Sequence, residues 1–140
     1  MTSPPKLADF PSQTYDKLRY GDTDRQGHIN NAVFVTFLET GRVAMLEAGE
    51  RPLREAGFSF VIARLILDYR AEIFWPGTVE IGTAVKTIGN SSITFTQAIF
   101  QGDTCVATAE SVLVQVDNTT RRSAPLSASA RALLEQLKER

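Results

Sequence analysis

The spacing of apolar residues along the chain changes from a period near 3.6 to a period of two. Phe34, Phe37, Leu38, Gly41 and Met45 recur three and four apart between residue 32 and about residue 47, which predicts a helix. Val33, Val35, Val43 and Leu46 lie off that stripe, so the helix is expected to be enveloped rather than covered on one face. Gly41 inside a helix costs about 1 kcal/mol relative to Ala, a cost offset where another group must approach closely.

From Phe60 the period is two. Val61, Ala63, Leu65, Leu67, Tyr69, Ala71, Ile73 and Trp75 fall on one side and Arg64, Asp68, Arg70 and Glu72 on the other, which predicts a long strand with one buried face. Pro76-Gly77 ends it, alternation resumes over residues 78–88 with Val79, Ile81 and Val85, and a hairpin is the simplest link between the two. Gly89-Asn90 and Gln101-Gly102-Asp103 are the next turns. Ile93, Phe95 and Ile99 mark the strand between them, and a last strand ends near Asp117, completing an expected meander. Residues 14–20 read as a short strand before the helix, and Ser127 or Ser129 caps a short amphipathic helix containing Leu133, Leu134 and Leu137.

One long apolar helix and a run of long strands satisfy each other if a curved sheet wraps the helix. That is the α+β hotdog fold, expected here with about five antiparallel strands in a single domain over residues 1–140. Residues 1–12, polar and Pro-rich, are expected to be flexible, and residues 127–140 to form the terminal helix. Such a sheet leaves edges and a partly apolar face, so self-association to at least a dimer is expected.

Composition narrows the functions available. A chain of 140 residues, 43% hydrophobic and 22% charged, has the makeup of an ordinary globular domain. Its net charge of -1 provides no broad positive field for nucleic acid. No stretch approaches the roughly eighteen apolar residues of a membrane span, and nothing at the start reads as a secretory signal. Cys105, the single cysteine, excludes an intrachain disulfide and a multi-cysteine metal site, and a cytoplasmic location follows as the expectation.

The candidate chemistry lies in the loop ahead of the helix, Gly21-Asp22-Thr23-Asp24-Arg25-Gln26-Gly27-His28-Ile29-Asn30-Asn31. Clusters of this composition are ordinary turn and cap chemistry, and Asn30 reads as a helix cap. A carboxylate in such a loop, opposite the unpaired N–H groups of a helix start, can also act on a carbonyl as nucleophile or base. His28 is the only histidine, which excludes a His-based metal cluster, and it reads as a positioning residue.

Tyr20-Gly21-Asp22-Thr23-Asp24, Gly27-His28-Ile29-Asn30-Asn31, Phe37-Leu38-Glu39 and Arg42 together resemble the 4-hydroxybenzoyl-CoA thioesterase family. The similarity continues through Asp68-Tyr69, Pro76-Gly77, Gly89-Asn90-Ser91-Ser92 and residues 112–117, nearly the whole chain. The resemblance implies a hotdog fold, a homodimer or a homotetramer built from paired dimers, and hydrolysis of acyl-CoA thioesters at a subunit interface, with no metal or organic cofactor. It implies Asp24 as the catalytic carboxylate, ahead of Asp22, and the backbone N–H of Asn31 as the donor to the thioester oxygen. Glu39 is the second candidate, because another hotdog branch uses a helix glutamate; its alternative is a surface pair with Arg42.

The resemblance also implies an acyl pocket between the helix and residues 58–64, made apolar by Phe58, Phe60, Val61 and Ile62, with Ser91 and Ser92 along the coenzyme A path. Some relatives carry a basic run just before the position of Ser92, whereas here the residues are Gly89-Asn90-Ser91. Arg64, Arg70, Lys86, Arg121 and Arg122 are then the cations left for phosphate. Competing functions are a hotdog dehydratase, whose His and acidic motif this loop does not resemble, a non-catalytic acyl-CoA binding module, and a thioesterase acting on acyl carrier protein.

Overall fold

Five strands form one antiparallel sheet in the order β1-β3-β4-β5-β2. They are β1 (Ser12–Lys17), β2 (Phe58–Tyr69), β3 (Thr78–Ile88), β4 (Ser92–Gln101) and β5 (Thr104–Asp117). Helix α1 (Val33–Glu47) lies between β1 and β2 in the chain, and α2 (Ala128–Glu135) closes it. The structure, a computed structural model, describes residues 3–47 and 53–140. No helix among the described residues is long and apolar enough to cross a membrane.

The apolar stripe of α1 does what its spacing predicts. Phe34, Phe37, Leu38, Gly41 and Met45 are all buried, and the helix packs on β1, β3 and β4. Gly41 has a steric reason: a Cβ there would stand 2.6–2.8 Å from Ile81, Gln97 and Thr83 side-chain atoms. Buried Gln97 ties the layers together, its Nε2 donating to the Leu38 carbonyl and to Thr83 Oγ1 at 2.9 and 3.0 Å. The expected envelopment of α1 does not occur within one chain. Val35 and Val43 face outward, Val43 at 50% exposure, because the sheet covers only one side of the helix.

β2 departs most from expectation. It forms no hairpin with β3 and pairs instead with β5 at the far edge of the sheet. The strand ends at Tyr69 rather than running on to Trp75. The Arg70 and Ala71 N–H groups converge on the Val106 carbonyl, and the next residues turn away so that the Ile73 carbonyl accepts the Ile29 N–H at 2.8 Å. Residues 70–77 thus cross to the opposite edge, where β3 pairs with β1.

The phase of β2 also slips. Pairing jumps from Ile62↔Leu113 to Arg64↔Val112, leaving Ala63 as a bulge. Phe60 therefore packs on the core ahead of the bulge, and Leu65 and Leu67 pack on it afterwards. Val61 falls on the other face at 44% exposure, contrary to the uniform alternation.

At the termini, the expected strand over residues 14–20 is β1, displaced toward the N-terminus, and Tyr20 opens a short 3-10 turn. Ser127 is the cap of α2, its Oγ accepting from the Ala130 N–H at 3.1 Å. Of the stretch expected to be flexible, residues 1 and 2 lie outside the described residues; Phe10 is buried over Gly82, where a Cβ would meet its ring.

Candidate active site

The loop between β1 and α1 is closed by its own backbone. Thr23 bridges Ile29, the Asp24 N–H donates to the His28 carbonyl at 2.9 Å, and the Gly27 N–H returns to the Asp24 carbonyl at 3.2 Å. Gly27 has φ +89°, a conformation that favours glycine. Further anchoring comes from residues 70–77, since His28 bridges Phe74 and their rings meet edge to face at 6.4 Å. Phe74 is itself held by Gln101, whose side chain accepts from its N–H at 3.0 Å and donates to its carbonyl at 2.7 Å.

The two loop carboxylates have different surroundings. Asp22 is buried, and both its oxygens are engaged by Arg19, through the backbone N–H, Nε and Nη2. That hydrogen bond and charge raise the Arg19 pKa above its ordinary value. Asp24 is partly open. Its Oδ1 accepts the Gln26 N–H at 2.8 Å, and its Oδ2 lies 3.4 Å from His28 Nδ1. The far side of the imidazole, Nε2, is 3.0 Å from Gln26 Oε1 and 3.2 Å from Glu72 Oε1.

Asn30 initiates the helix. Its Oδ1 accepts the Ala32 N–H at 2.9 Å, its carbonyl accepts the Val33 N–H at 3.0 Å, and its own N–H reaches the Asp22 carbonyl. This is the cap that its residue type predicts. The Asn31 carbonyl accepts the Tyr69 hydroxyl at 2.8 Å, whereas the Asn31 N–H meets no protein acceptor among the described residues. Asp24, His28, Asn30 and Asn31 line one cleft of about 440 Å³ with Gln26, Phe34, Tyr69 and Glu72. An open carboxylate, an imidazole and a free amide at a helix start can attack or deprotonate on one side of a carbonyl and hold its oxygen on the other.

The remaining candidates lie elsewhere. Glu39, Phe60 and Ile62 line a second cavity of about 240 Å³ farther along α1; Val61 does not. Arg42 does not pair with Glu39 at the surface. It turns inward to 4% exposure and donates through Nη1 to Gln97 Oε1 at 3.2 Å; burial lowers its pKa, with Glu39 opposing. Ser91 lies in the β3–β4 turn and Ser92 opens β4, and neither lines either cavity. Arg64, Arg70, Lys86, Arg121 and Arg122 are likewise absent from the cleft lining, and Lys86 pairs with Glu110 at 2.9 Å.

Sequence reasoning missed Gln26, Tyr69 and Glu72 as cleft residues. Gln26 carried a local signal, being between Asp24 and His28 in the same loop; Tyr69 and Glu72 reach the cleft only through the path of β2 and residues 70–77. Among the described residues, no group of three or more His, Cys, Asp or Glu side chains could hold a metal ion.

Residues 18–137 match the thioesterase-like superfamily. The acyl-CoA thioester hydrolase YbgC of Escherichia coli is 30% identical over 131 residues, covering 91% of this chain and 90% of that protein. Among solved structures, a thioesterase complexed with coenzyme A and Zn from Thermus thermophilus superposes with a TM-score of 0.80 at 29% identity, over 93% of this chain and 96% of that one. The PA5185 protein of Pseudomonas aeruginosa superposes with a TM-score of 0.86 at 25% identity, over 96% of each chain.

Proposed function

Because the chain belongs to the thioesterase-like superfamily, we propose that it hydrolyses acyl-CoA thioesters to free acid and coenzyme A with Asp24 as the acting carboxylate. One observation carries this assignment: the partly open Asp24 carboxylate and the unspent Asn31 N–H line the same cleft at the start of α1. The amide and the positive end of the helix stabilise the negative charge that grows on the thioester oxygen. A donor in that role contributes about 3 kcal/mol to the transition state. Asp24 either bonds the acyl carbon as the C–S bond breaks, giving an anhydride that water opens, or takes a proton from water attacking the thioester. Label recovered in Asp24 after turnover in oxygen-18 water would establish the anhydride course, with water opening the anhydride at the Asp24 carbonyl carbon.

His28 and Asn30 support the site, Asn30 by holding the helix start and His28 from beside Asp24. The second cavity, with Val43, Leu46, Phe60 and Ile62 in its lining, suits the acyl group. A second copy of this chain would cover what one copy leaves open. β2 is an unpaired sheet edge bearing exposed Val61 and Ile66, and α1 exposes Val35 and Val43. A single cysteine, its thiol pKa pushed up by burial, fits the reducing cytoplasm.

The test is thiol release from a panel of aliphatic and aromatic acyl-CoA thioesters by wild type and Asp24→Asn, with folding monitored by circular dichroism. A fall of at least about a hundredfold in the variant supports Asp24. Equal rates would transfer the role to Glu39, and no release by wild type from any substrate would remove the hydrolase reading. Light scattering gives the copy number, and a monomer at working concentration would remove the dimer.

A further inference from the structure

The imidazole of His28 sits between acceptors. Gln26 Oε1 and Glu72 Oε1 face Nε2 at 3.0 and 3.2 Å, and Asp24 Oδ2 faces Nδ1 at 3.4 Å. A glutamine amide can turn to present its NH₂, but an ionised carboxylate has only acceptor oxygens. Gln26 Oε1 makes the hydrogen bond at Nε2, and the negative charge of Glu72 3.2 Å from the same nitrogen favours hydrogen there over a lone pair. The Nδ1 separation is longer than a direct N–H···O bond of about 2.7 to 3.2 Å. In the neutral ring that arrangement leaves the Nδ1 lone pair beside Asp24 Oδ2, and Asp24 Oδ1 is already occupied by the Gln26 N–H.

The ring has little freedom to choose otherwise. The His28 backbone is bonded to Asp24 and bridged to Phe74, and its ring packs edge to face on Phe74. Glu72 reaches this place because residues 70–77 leave the sheet and lie along the loop. Its side chain is 58% exposed, so it is not needed to fill the core.

We propose that Glu72 is a positioning residue for thioester hydrolysis. With Gln26 it holds His28 as the Nε2–H tautomer, so that Nδ1 and Asp24 Oδ2 present adjacent proton acceptors to the cleft. The role rests on the thioesterase function proposed above. On the course in which Asp24 acts as base, the water consumed passes one proton to Asp24 Oδ2 as its oxygen bonds the acyl carbon, and the adjacent Nδ1 lone pair accepts a hydrogen bond from the carboxyl group so formed. That proton leaves on the coenzyme A sulfur once the C–S bond has broken, so the carboxylate and the ring end as they began.

A single histidine makes the experiment direct, because the ring nitrogen-15 signals of labelled protein belong to His28 alone. Wild type at a pH where the ring is neutral should show the Nε2–H pattern. Glu72→Ala should shift the signals toward a tautomer mixture and lower kcat about tenfold, with KM little changed. Glu72→Asp should restore part of both. An Nδ1–H ring in wild type, or Glu72→Ala with unchanged spectrum and unchanged kcat, overturns the assignment while leaving an active thioesterase in place. Wild type that releases no thiol defeats the parent function instead, whatever tautomer the spectrum shows.

Discussion

Two cavities lie along α1, and they are built from different materials. At the helix start the walls are loop: carboxylates, an imidazole, a capping amide and a free backbone N–H, most within eight consecutive residues. Farther along, the walls are side chains of regular elements, with Leu46 and Val43 from α1, Phe60 and Ile62 from β2, and Leu113 from β5. The first combines groups that polarise and attack with apolar surface from Ile29, Phe34, Tyr69 and Ala71; the second has a larger apolar share, and of its charged groups Glu39, Arg42, Glu47 and Arg54 the last two pair with each other at 3.0 Å. Asn31 and Arg42 are separated by about 16 Å at 1.5 Å of rise per residue. A substrate reaching both would have its reacting carbon and its acyl tail held by different parts of one helix.

The largest expected effect tests this division of labour directly. Asp24→Asn should reduce kcat at least about a hundredfold, whereas Glu39→Gln, measured in the same thiol-release assay, should stay within about threefold of wild type. A reversed pair of results would place the chemistry in the second cavity. Next in size is the packing that seats α1 on the sheet. Gly41→Ala gains about 1 kcal/mol of helix propensity but loses about 1 to 3 kcal/mol by forcing a Cβ against Ile81, Thr83 and Gln97, so denaturant unfolding should show net loss.

Smallest is a change next to the second cavity. Ser111 is on β5 two residues before Leu113, and its buried Oγ has no hydrogen-bond partner among the described residues. An unsatisfied buried hydroxyl costs about 1 kcal/mol or more, so Ser111→Ala should match or exceed wild type in denaturant midpoint. A clear loss of stability would mean that the hydroxyl has a partner after all.

The first cavity was largely legible in the sequence because its geometry is local. Asp24, His28, Asn30 and Asn31 need only a tight turn at Gly27 and a cap to come together, and turn and cap preferences act over a few residues. The α1 stripe was legible for the same reason. β2 was not. A hairpin with the next strand is the local default, and only packing against β5 decides otherwise. Its phase was concealed because Val61 and Ile62, like Leu65 and Ile66, are apolar in both registers, so sliding past the bulge at Ala63 changes nothing in the pattern. Tyr69 and Glu72 share that difficulty, since their approach to the loop depends on where the chain goes after β2 ends.

The clamp on Phe74 gives the cleft wall a mechanical character of its own. Residues 70–77 have no continuous strand partner, and the Phe74 peptide is secured at the tip of the β4–β5 hairpin by one amide side chain. Two such bonds contribute about 1 kcal/mol each, far below the free energy of unfolding a domain. Amide protons at Phe74 and its exposed neighbours are expected to exchange through a local opening, which hydrogen exchange read residue by residue would show. A hairpin tip that takes no part in bond making thus shares, with the Ile29–Ile73 bond and the His28–Phe74 bridge, in keeping the wall beside His28 closed.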